Sequence, residues 1–428
     1  MPSGQPQRAR LGLLPLIVLL GTAPATAQPV FDGTVRNLAP GNTVEAPLIA
    51  VGDWSGDGEL DLVWTSGGSF RVSEGDGAGN FTDSAEIMSG LTTLGPQLAA
   101  GDFNGDGLLD AIAGRGAGDD VALLLSGGGA GVLTTALLDL PRNSGAFPVV
   151  ADADADGDDD VYLVELGMTI LLNRTGTGLS VATDIVASSS QTARGFAITD
   201  IDGDQRADFI GPALDGEHGG LDVILITPNP VNGEPGIGAI TVVPLALDSV
   251  SSLVTANLDT DTDLDIAVVG DAAGTTSLVT VRNDGPRNWS PSAPVPSINL
   301  GAAPDLAVAD FDMDGRRDVV VSCTEPDCRM MALHHGQNLA APGPVELLPV
   351  LAPATRLAVG DIDCDGDPDV VAGSSAGSTA ILNLGGRNYE DQLFRPLRGV
   401  DLVLADVNGD AALDALGLDT GALQVALN

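Results

Sequence analysis

The 428-residue sequence predicts an all-β fold, a β-propeller of four-stranded antiparallel blades, on three observations. A nine-residue acidic motif recurs eight times at near-constant spacing. Each copy lies between short apolar runs of strand character. The last repeat is one strand short, and the N-terminal stretch supplies a strand of the missing kind. Eight blades follow, with seven as the alternative should one copy sit in an irregular blade.

In chain order, Met1 to Ala27 has the three parts of a secretory signal. Arg8 and Arg10 form a positive start, Leu11 to Leu20 an apolar core, and Ala25-Thr26-Ala27 a small-residue cleavage site. The apolar core is too short to span a bilayer as a helix. Later apolar runs are all cut by Asp or Gly, so no transmembrane anchor is expected. Residues 28–428 then form one propeller domain, secreted to the extracellular or periplasmic space and expected to be a monomer.

The formal charge is -41, from 59 acidic and 18 basic residues. Such a balance repels nucleic acid and anionic membrane surfaces, which excludes both as direct partners. Disorder would be the plain reading of so acidic a chain, but 44% hydrophobic residues in regular short runs argue against it.

The motif is clearest at Asp102–Asp110, D-F-N-G-D-G-L-L-D, with oxygen-bearing side chains at positions 1, 3, 5 and 9 and Gly107 at position 6. Calcium takes about six to eight hard oxygen ligands, and alternate side chains of a tightly curled loop can converge on it. An EF-hand would need a glutamate at position 12 and flanking helices; position 12 is Ala113, and both flanks read as strands. The candidate ligands are Asp53, Ser55, Asp57 and Asp61 in loop 1 and Asp102, Asn104, Asp106 and Asp110 in loop 2. Loop 3 offers Asp152, Asp154, Asp156 and Asp160, and loop 4 Asp200, Asp202, Asp204 and Asp208. Loop 5 offers Asn257, Asp259, Asp261 and Asp265, and loop 6 Asp310, Asp312, Asp314 and Asp318. Loop 7 offers Asp361, Asp363, Asp365 and Asp369, and loop 8 Asp406, Asn408, Asp410 and Asp414. One acidic turn alone could be an ordinary Asx turn. Eight in register with strands mark a repeat architecture. Several calcium ions are therefore expected, in a structural role, because a loop that gathers carboxylates needs a cation to fold compactly.

Around loop 2 the strands read Leu98–Gly101, Asp110–Gly114, Val121–Ser126 and Leu133–Leu140. Near-continuous Val, Ile, Leu and Ala runs suggest strands buried on both faces, as in sheets stacked on neighbours. Four-stranded sheets repeated radially make a propeller, which hides most strand edges. The chain ends on a third strand, Leu423 to Asn428, whereas Gln28 to Arg36 resembles the fourth strand Tyr389 to Phe394. The N-terminal strand should therefore complete the last blade.

Blades of the form Leu-Ala-Val-Gly-Asp-x-Asp-x-Asp-Gly-x-x-Asp-Val-Val resemble the FG-GAP/VCBS repeats of integrin-α-type propellers over nearly all of residues 28–428. The resemblance implies a metal in the loop joining a blade's first and second strands, on one face of the disc. Loops 2, 3, 6 and 7 match fully. Ser55 departs at position 3, Asn257 at position 1, and Gln205, Thr262 and Ala411 replace the position-6 glycine.

Cys323 and Cys328 bracket a turn, and in an exported protein that reads as a hairpin disulfide. A zinc site there would need His334 and His335, which as strand neighbours point to opposite faces. Cys364 lies at a non-ligand position of loop 7. Gly373-Ser374-Ser375-Ala376-Gly377 matches G-x-S-x-G but falls between strands rather than at a strand-to-helix elbow. His218 stands alone in a turn. Lysine is absent, and Tyr162 and Tyr389 are the two tyrosines. These residues favour a non-enzymatic binding, adhesion or scaffold module with a protein or polysaccharide ligand. A calcium-dependent polysaccharide lyase or a lectin is the alternative. The stretches Pro228 to Gly238 and Pro286 to Pro296 enlarge two blades and are candidates for a recognition surface.

Overall fold

The computed structural model describes residues 36–37 and 49–428, apart from 83–84, 92–93, 95–97, 115–119, 128–132, 141–146, 165–166, 175–177, 187–194, 213–219, 229–234, 260, 286–287, 298–303, 326, 329, 335, 337–344, 351–352, 375, 395–400 and 420–421. The signal segment 1–27 lies outside these residues, as do His218, His335 and Ser375.

Each acidic loop ends one strand and begins the next. Blade 1 is Ile49–Gly52, Asp61–Ser66, Ser69–Ser73 and Ala85–Met88. Blade 2 is Leu98–Gly101, Asp110–Ala113, Asp120–Ser126 and Leu133–Asp139. Blade 3 is Phe147–Val150, Val161–Val164, Gly167–Arg174 and Gly178–Val186, and blade 4 is Ala197–Thr199, Asp208–Pro212, Gly220–Pro228 and Pro235–Pro244. Blade 5 is Ser249–Ala256, Asp265–Ala272 and Thr275–Asn283, with a fourth strand broken into Trp289–Pro291 and Val295–Pro296. Blade 6 is Leu306–Ala309, Asp318–Val321, Met330–His334 and Val345–Pro349, and blade 7 is Arg356–Gly360, Asp369–Gly373, Ser378–Asn383 and Tyr389–Phe394. All neighbours within a blade are antiparallel. Of the Pro-rich stretch of blade 5, Trp289–Pro291 and Val295–Pro296 are thus part of the sheet, because proline is tolerated on an edge strand that needs no further donor. Of the blade 4 insertion, Pro235 to Gly238 belongs to the fourth strand and 229–234 fall outside the described residues.

Blade 8 is Asp401–Ala405, Asp414–Asp419 and Ala422–Ala426, and its fourth strand is N-terminal: Arg36 pairs with Val425 and Asn37 with Gln424. The expected closure therefore forms through 36–37, and the chain is an eight-bladed ring. First strands of neighbouring blades touch around the axis, blade 8 against blade 1 included.

The core is eight seams rather than one centre. Successive residues of a strand point to opposite faces, so each blade feeds two seams. In blade 1, Val63 packs with blade 2 residues such as Ala111 and Leu124. Its neighbours Leu62 and Trp64 pack with Leu416 and Val425 of blade 8. The same division recurs at every seam, which explains why second and third strands are largely buried while fourth strands alternate or face water. Blade 1's Ala85–Met88 is mostly exposed. Fully burying one such Leu or Val contributes about 1.5–3 kcal/mol, so the ring is held by many equivalent seams.

Cys323 and Cys328 are disulfide-bonded across the connection between the second and third strands of blade 6, and Cys364 is free and exposed. His334 is buried, with Nε2 2.8 Å from Ser297 Oγ. It is a core residue rather than one end of a zinc site.

Candidate metal-binding loops

The four chemical positions of each loop divide into distinct jobs. Position 9 closes the blade. Its carboxylate is buried in all eight copies: Asp61, Asp110, Asp160, Asp208, Asp265, Asp318, Asp369 and Asp414. Oδ2 accepts the backbone N–H of position 2, for instance Phe103 to Asp110 at 2.9 Å and Ile362 to Asp369 at 2.7 Å. Oδ1 accepts a backbone N–H at or just beyond the end of the third strand: Gly75, Ser126, Asn173, Ile226, Asn283, Gly336, Asn383 or Asn428. One carboxylate thus joins the loop to the far side of its own sheet. Sequence reading assigned it to metal alone.

Position 1 curls the turn. Asp102 Oδ1 accepts from Gly105 at 2.7 Å and Asp106 at 3.2 Å, and Oδ2 accepts from Gly107 at 2.9 Å. Asp53, Asp200 and Asp406 repeat this three-bond pattern. Asp152, Asp310 and Asp361 make part of it. Position 5, from Asp57 and Asp106 to Asp365 and Asp410, accepts the N–H two residues on, an Asx turn at the rim.

Position 6 is left-handed where glycine permits it, with φ of 89° at Gly107. Gln205 and Ala411 adopt the same region at 75° and 73°, so their loops keep the turn despite losing the glycine. Thr262 does not. A β-branched residue is strongly disfavoured there, and loop 5 rearranges. The Asn257 side chain donates through Nδ2 to the Asp261 carbonyl.

Carboxylate oxygens converge in four loops. Asp152, Asp154 and Asp160 lie with their ligand atoms within 4.8 Å of one another, as do Asp200, Asp202 and Asp208; Asp310, Asp312 and Asp318; and Asp361, Asp363 and Asp365. These are the four loops with aspartate at all four positions. Loop 4 joins the set because Gln205 holds the turn. Loop 2 stands apart because Asn104 spends its amide on Asp110 Oδ1 and the Ser126 carbonyl. Ser55 and Asn408 likewise leave loops 1 and 8 with a neutral position 3. In loop 5, Asp259 accepts from the Asp261 N–H at 3.1 Å, outside any such trio among the described residues.

The electrostatics fit a cation. Burial pushes Asp110, Asp160 and Asp208 up to about 7 and Asp369 up to about 8. Asp265 rises to about 6 for the same reason. Asp363 rises to about 6 through burial and the neighbouring Asp365 carboxylate, and its Oδ1 is buried with no hydrogen-bond partner. A desolvated carboxylate oxygen without a donor is costly, and a hard divalent ion held by Asp361, Asp363 and Asp365 would supply the missing charge.

Position 2, which the sequence reading passed over, is apolar and buried in every copy: Trp54, Phe103, Ala153, Ile201, Leu258, Phe311, Ile362 and Val407. Each side chain enters the seam with the next blade, Trp54 between blades 1 and 2 and Val407 between blades 8 and 1. From the next blade, an asparagine Nδ2 reaches back to the loop. Asn283 donates to the Ile201 carbonyl at 3.0 Å, Asn383 to Phe311 at 2.7 Å and Asn428 to Ile362 at 2.6 Å, while Asn173 reaches Asp102 at 2.8 Å. These contacts also place consecutive loops on one face of the ring. The signal was available in the sequence as an apolar residue following position 1 in all eight copies.

The fold and the loops define the class: an eight-bladed β-propeller with an acidic, backbone-braced loop in each blade. Residues 53–113, which span loops 1 and 2, match the model of the FG-GAP-like repeat. The chain is an eight-bladed β-propeller that carries the FG-GAP-like repeat at residues 53–113; the match is to the repeat, not to integrin-α chains in particular. No curated protein matches the sequence. Among solved structures it is similar to an Agrocybe aegerita lectin described as recognising non-reducing terminal N-acetylglucosamine, at 18% identity and TM-score 0.49, over 72% of this chain and 81% of that one. It is also similar to BBS1N solved in complex with ARL6DN, at 12% identity and TM-score 0.47, over 91% and 93% of the two chains. The V. cholerae biofilm matrix protein Bap1 is similar at 12% identity and TM-score 0.42, over 94% and 90%.

Proposed function

We propose that this chain is an exported, calcium-stabilised propeller that presents one face of a rigid disc to a protein or polysaccharide ligand without chemistry of its own. The observation that carries this reading is the set of four carboxylate clusters in loops 3, 4, 6 and 7, built on loops that also brace their blades. Hard oxygen donors in a flexible turn suit calcium, and an ion there would fix the face on which the loops stand. The signal at 1–27 supports export to a compartment where calcium is plentiful and disulfides persist, in keeping with Cys323–Cys328. No helix among the described residues is long and apolar enough to cross a membrane.

Three side chains that could serve a lyase are otherwise engaged, while the buried Tyr389 hydroxyl has no hydrogen-bond partner. Tyr162 is buried, with its hydroxyl donating to the Ala207 carbonyl, and His334 is buried against Ser297. Ser374 is buried and donates to the Gly377 carbonyl at 2.6 Å. The test is a screen of purified protein against acidic and neutral polysaccharides, with calcium and with chelator, reading retention and unsaturated products together. Calcium-dependent retention without product is expected. Product formation would overturn the reading in favour of a lyase.

A further inference from the structure

Loop 6 differs from the other three all-aspartate loops in having an arginine on its position-3 carboxylate among the described residues; in loop 4 the arginine, Arg206, lies 3.5 Å from the position-5 carboxylate of Asp204 instead. Arg387 stands in the turn between the third and fourth strands of blade 7, and its guanidinium reaches across the seam to Asp312, position 3 of loop 6. Nε donates to Asp312 Oδ2 at 3.1 Å, and Nη2 donates to the same oxygen. The Asp312 side chain is only 7% exposed, so this ion pair is largely desolvated on the acidic side. Both donations reach Oδ2; Asp312 Oδ1 is buried and accepts no hydrogen bond. The same holds for Asp363 Oδ1 in loop 7, where Asp363 Oδ2 has no arginine on it among the described residues. In loop 4 the Asp202 carboxylate accepts the Asp204 N–H at 3.3 Å. In loop 3 the nearby Arg206 turns to the Asp154 backbone carbonyl rather than its carboxylate.

The turn is shaped to deliver Arg387. Leu384 N–H donates to the Asn388 carbonyl and Asn388 N–H to the Gly385 carbonyl, closing a tight reversal. Arg387 has a φ of 65°, in the left-handed region that favours glycine. The matching turn of blade 1, closed by the Asp76 N–H to Asn80 carbonyl bond, has Gly79 at this position with a φ of 72°. An arginine held where glycine fits more easily strains the backbone, which the charge-assisted contact offsets.

We propose that Arg387 is the resident cation of loop 6: its guanidinium occupies Asp312 Oδ2, one of the oxygens an ion would draw on, and locks blade 6 to blade 7 independently of metal. This rests on the reading that the all-aspartate loops bind divalent cations. A guanidinium on the shared carboxylate both removes a ligand oxygen and repels an incoming ion, so loop 6 should fill last or not at all.

The experiment counts calcium bound to the mature chain by equilibrium dialysis for wild type, Arg387→Gln, and Arg387→Gln with Asp310→Asn. Arg387→Gln is expected to bind one ion more than wild type, and adding Asp310→Asn should remove that gain. Equal counts in wild type and Arg387→Gln would overturn the proposal. A second readout needs no ion: in chelator, thermal midpoints are compared for Arg387→Gln, Asp312→Asn and the double variant. Each single change should lower the midpoint, and the double should fall no further than the worse single. Additive losses would overturn the lock. If no form binds calcium, the metal reading fails, and the coupling in chelator decides the lock by itself.

Discussion

The backbone N–H of Asn383 donates to Asp369 Oδ1 at 2.7 Å, and the Asn383 side chain carries on to the Phe311 carbonyl at 2.7 Å. The loops of two adjacent blades are tied through this pair. Asp369 fastens the loop of blade 7 to its third strand, and Asn383 fastens that strand to the loop of blade 6. The loops are therefore joints of the ring as well as candidate ion sites, and the two roles can be separated by substitution.

Asp369→Asn should destabilise the fold whether or not an ion is present. An amide can accept only one of the two N–H groups that now converge on the carboxylate, leaving the other facing a donor. The expected loss is about 2–3 kcal/mol, the range for a buried donor left without its acceptor. Asp365→Asn at the exposed rim should cost little in chelator and act chiefly on ion affinity. Denaturant unfolding of both variants, with and without calcium, checks this; equal losses in chelator would sink the division of roles.

Asn383→Ala should weaken the bond between blades 6 and 7 by about 1 kcal/mol, the net value of a neutral hydrogen bond. Gly336, the corresponding residue of blade 6, cannot be improved the same way. A Cβ there would lie 2.1 Å from the Arg317 carbonyl oxygen, so Gly336→Asn should destabilise rather than add a link. Chemical denaturation midpoints decide both, and a stabilised Gly336→Asn would contradict the packing argument.

The repeat, the four-strand blade, the ring count and the borrowed N-terminal strand were legible because each leaves a periodic trace: aspartates every 45 to 57 residues and apolar runs between them. The internal division of the loop was not. Asp365 and Asp369 are the same residue type, and nothing local shows that one lies at the rim while the other reaches a strand fourteen residues on at Asn383. Which loops gather three carboxylates was misweighted for a related reason. The missing glycine at Gln205 looked more damaging than Asn104 at position 3, yet Gln205 accepts the left-handed turn whereas Asn104 lacks the charge. The Arg387–Asp312 pair joins residues 75 apart, beyond any local pattern.

Those left-handed residues make a direct prediction. Gln205→Gly and Ala411→Gly should each stabilise the protein by about 1 kcal/mol by removing Cβ strain, and Gly107→Ala should destabilise it by a similar amount. Thermal unfolding in chelator reads this free of changes in ion binding. If Gln205→Gly lost stability, the claim that loop 4 is strained at this residue would fail.

The raised carboxyl groups set the sign of the pH dependence. In ion-free protein Asp110, Asp160 and Asp208 hold protons up to about 7 and Asp369 up to about 8, against 3.8 for an unperturbed carboxyl. Between those limits the folded state binds more protons than the unfolded chain, so stability must fall as pH rises. The contribution is complete below about pH 4 and is lost as pH rises through about 7 to 8. Ion binding requires the deprotonated carboxylates and releases their protons, so its stabilising effect grows over the same interval. The thermal midpoint in chelator should therefore be higher at pH 5 than at pH 8, and saturating calcium should raise it far more at pH 8 than at pH 5. The charge of -41 would push the chelator profile the same way by general repulsion. Asp369→Asn separates the causes: it removes one buried titration while changing the net charge by a single unit, so a distinctly shallower slope is expected. An unchanged slope would assign the pH dependence to global charge and not to the buried position-9 carboxyls.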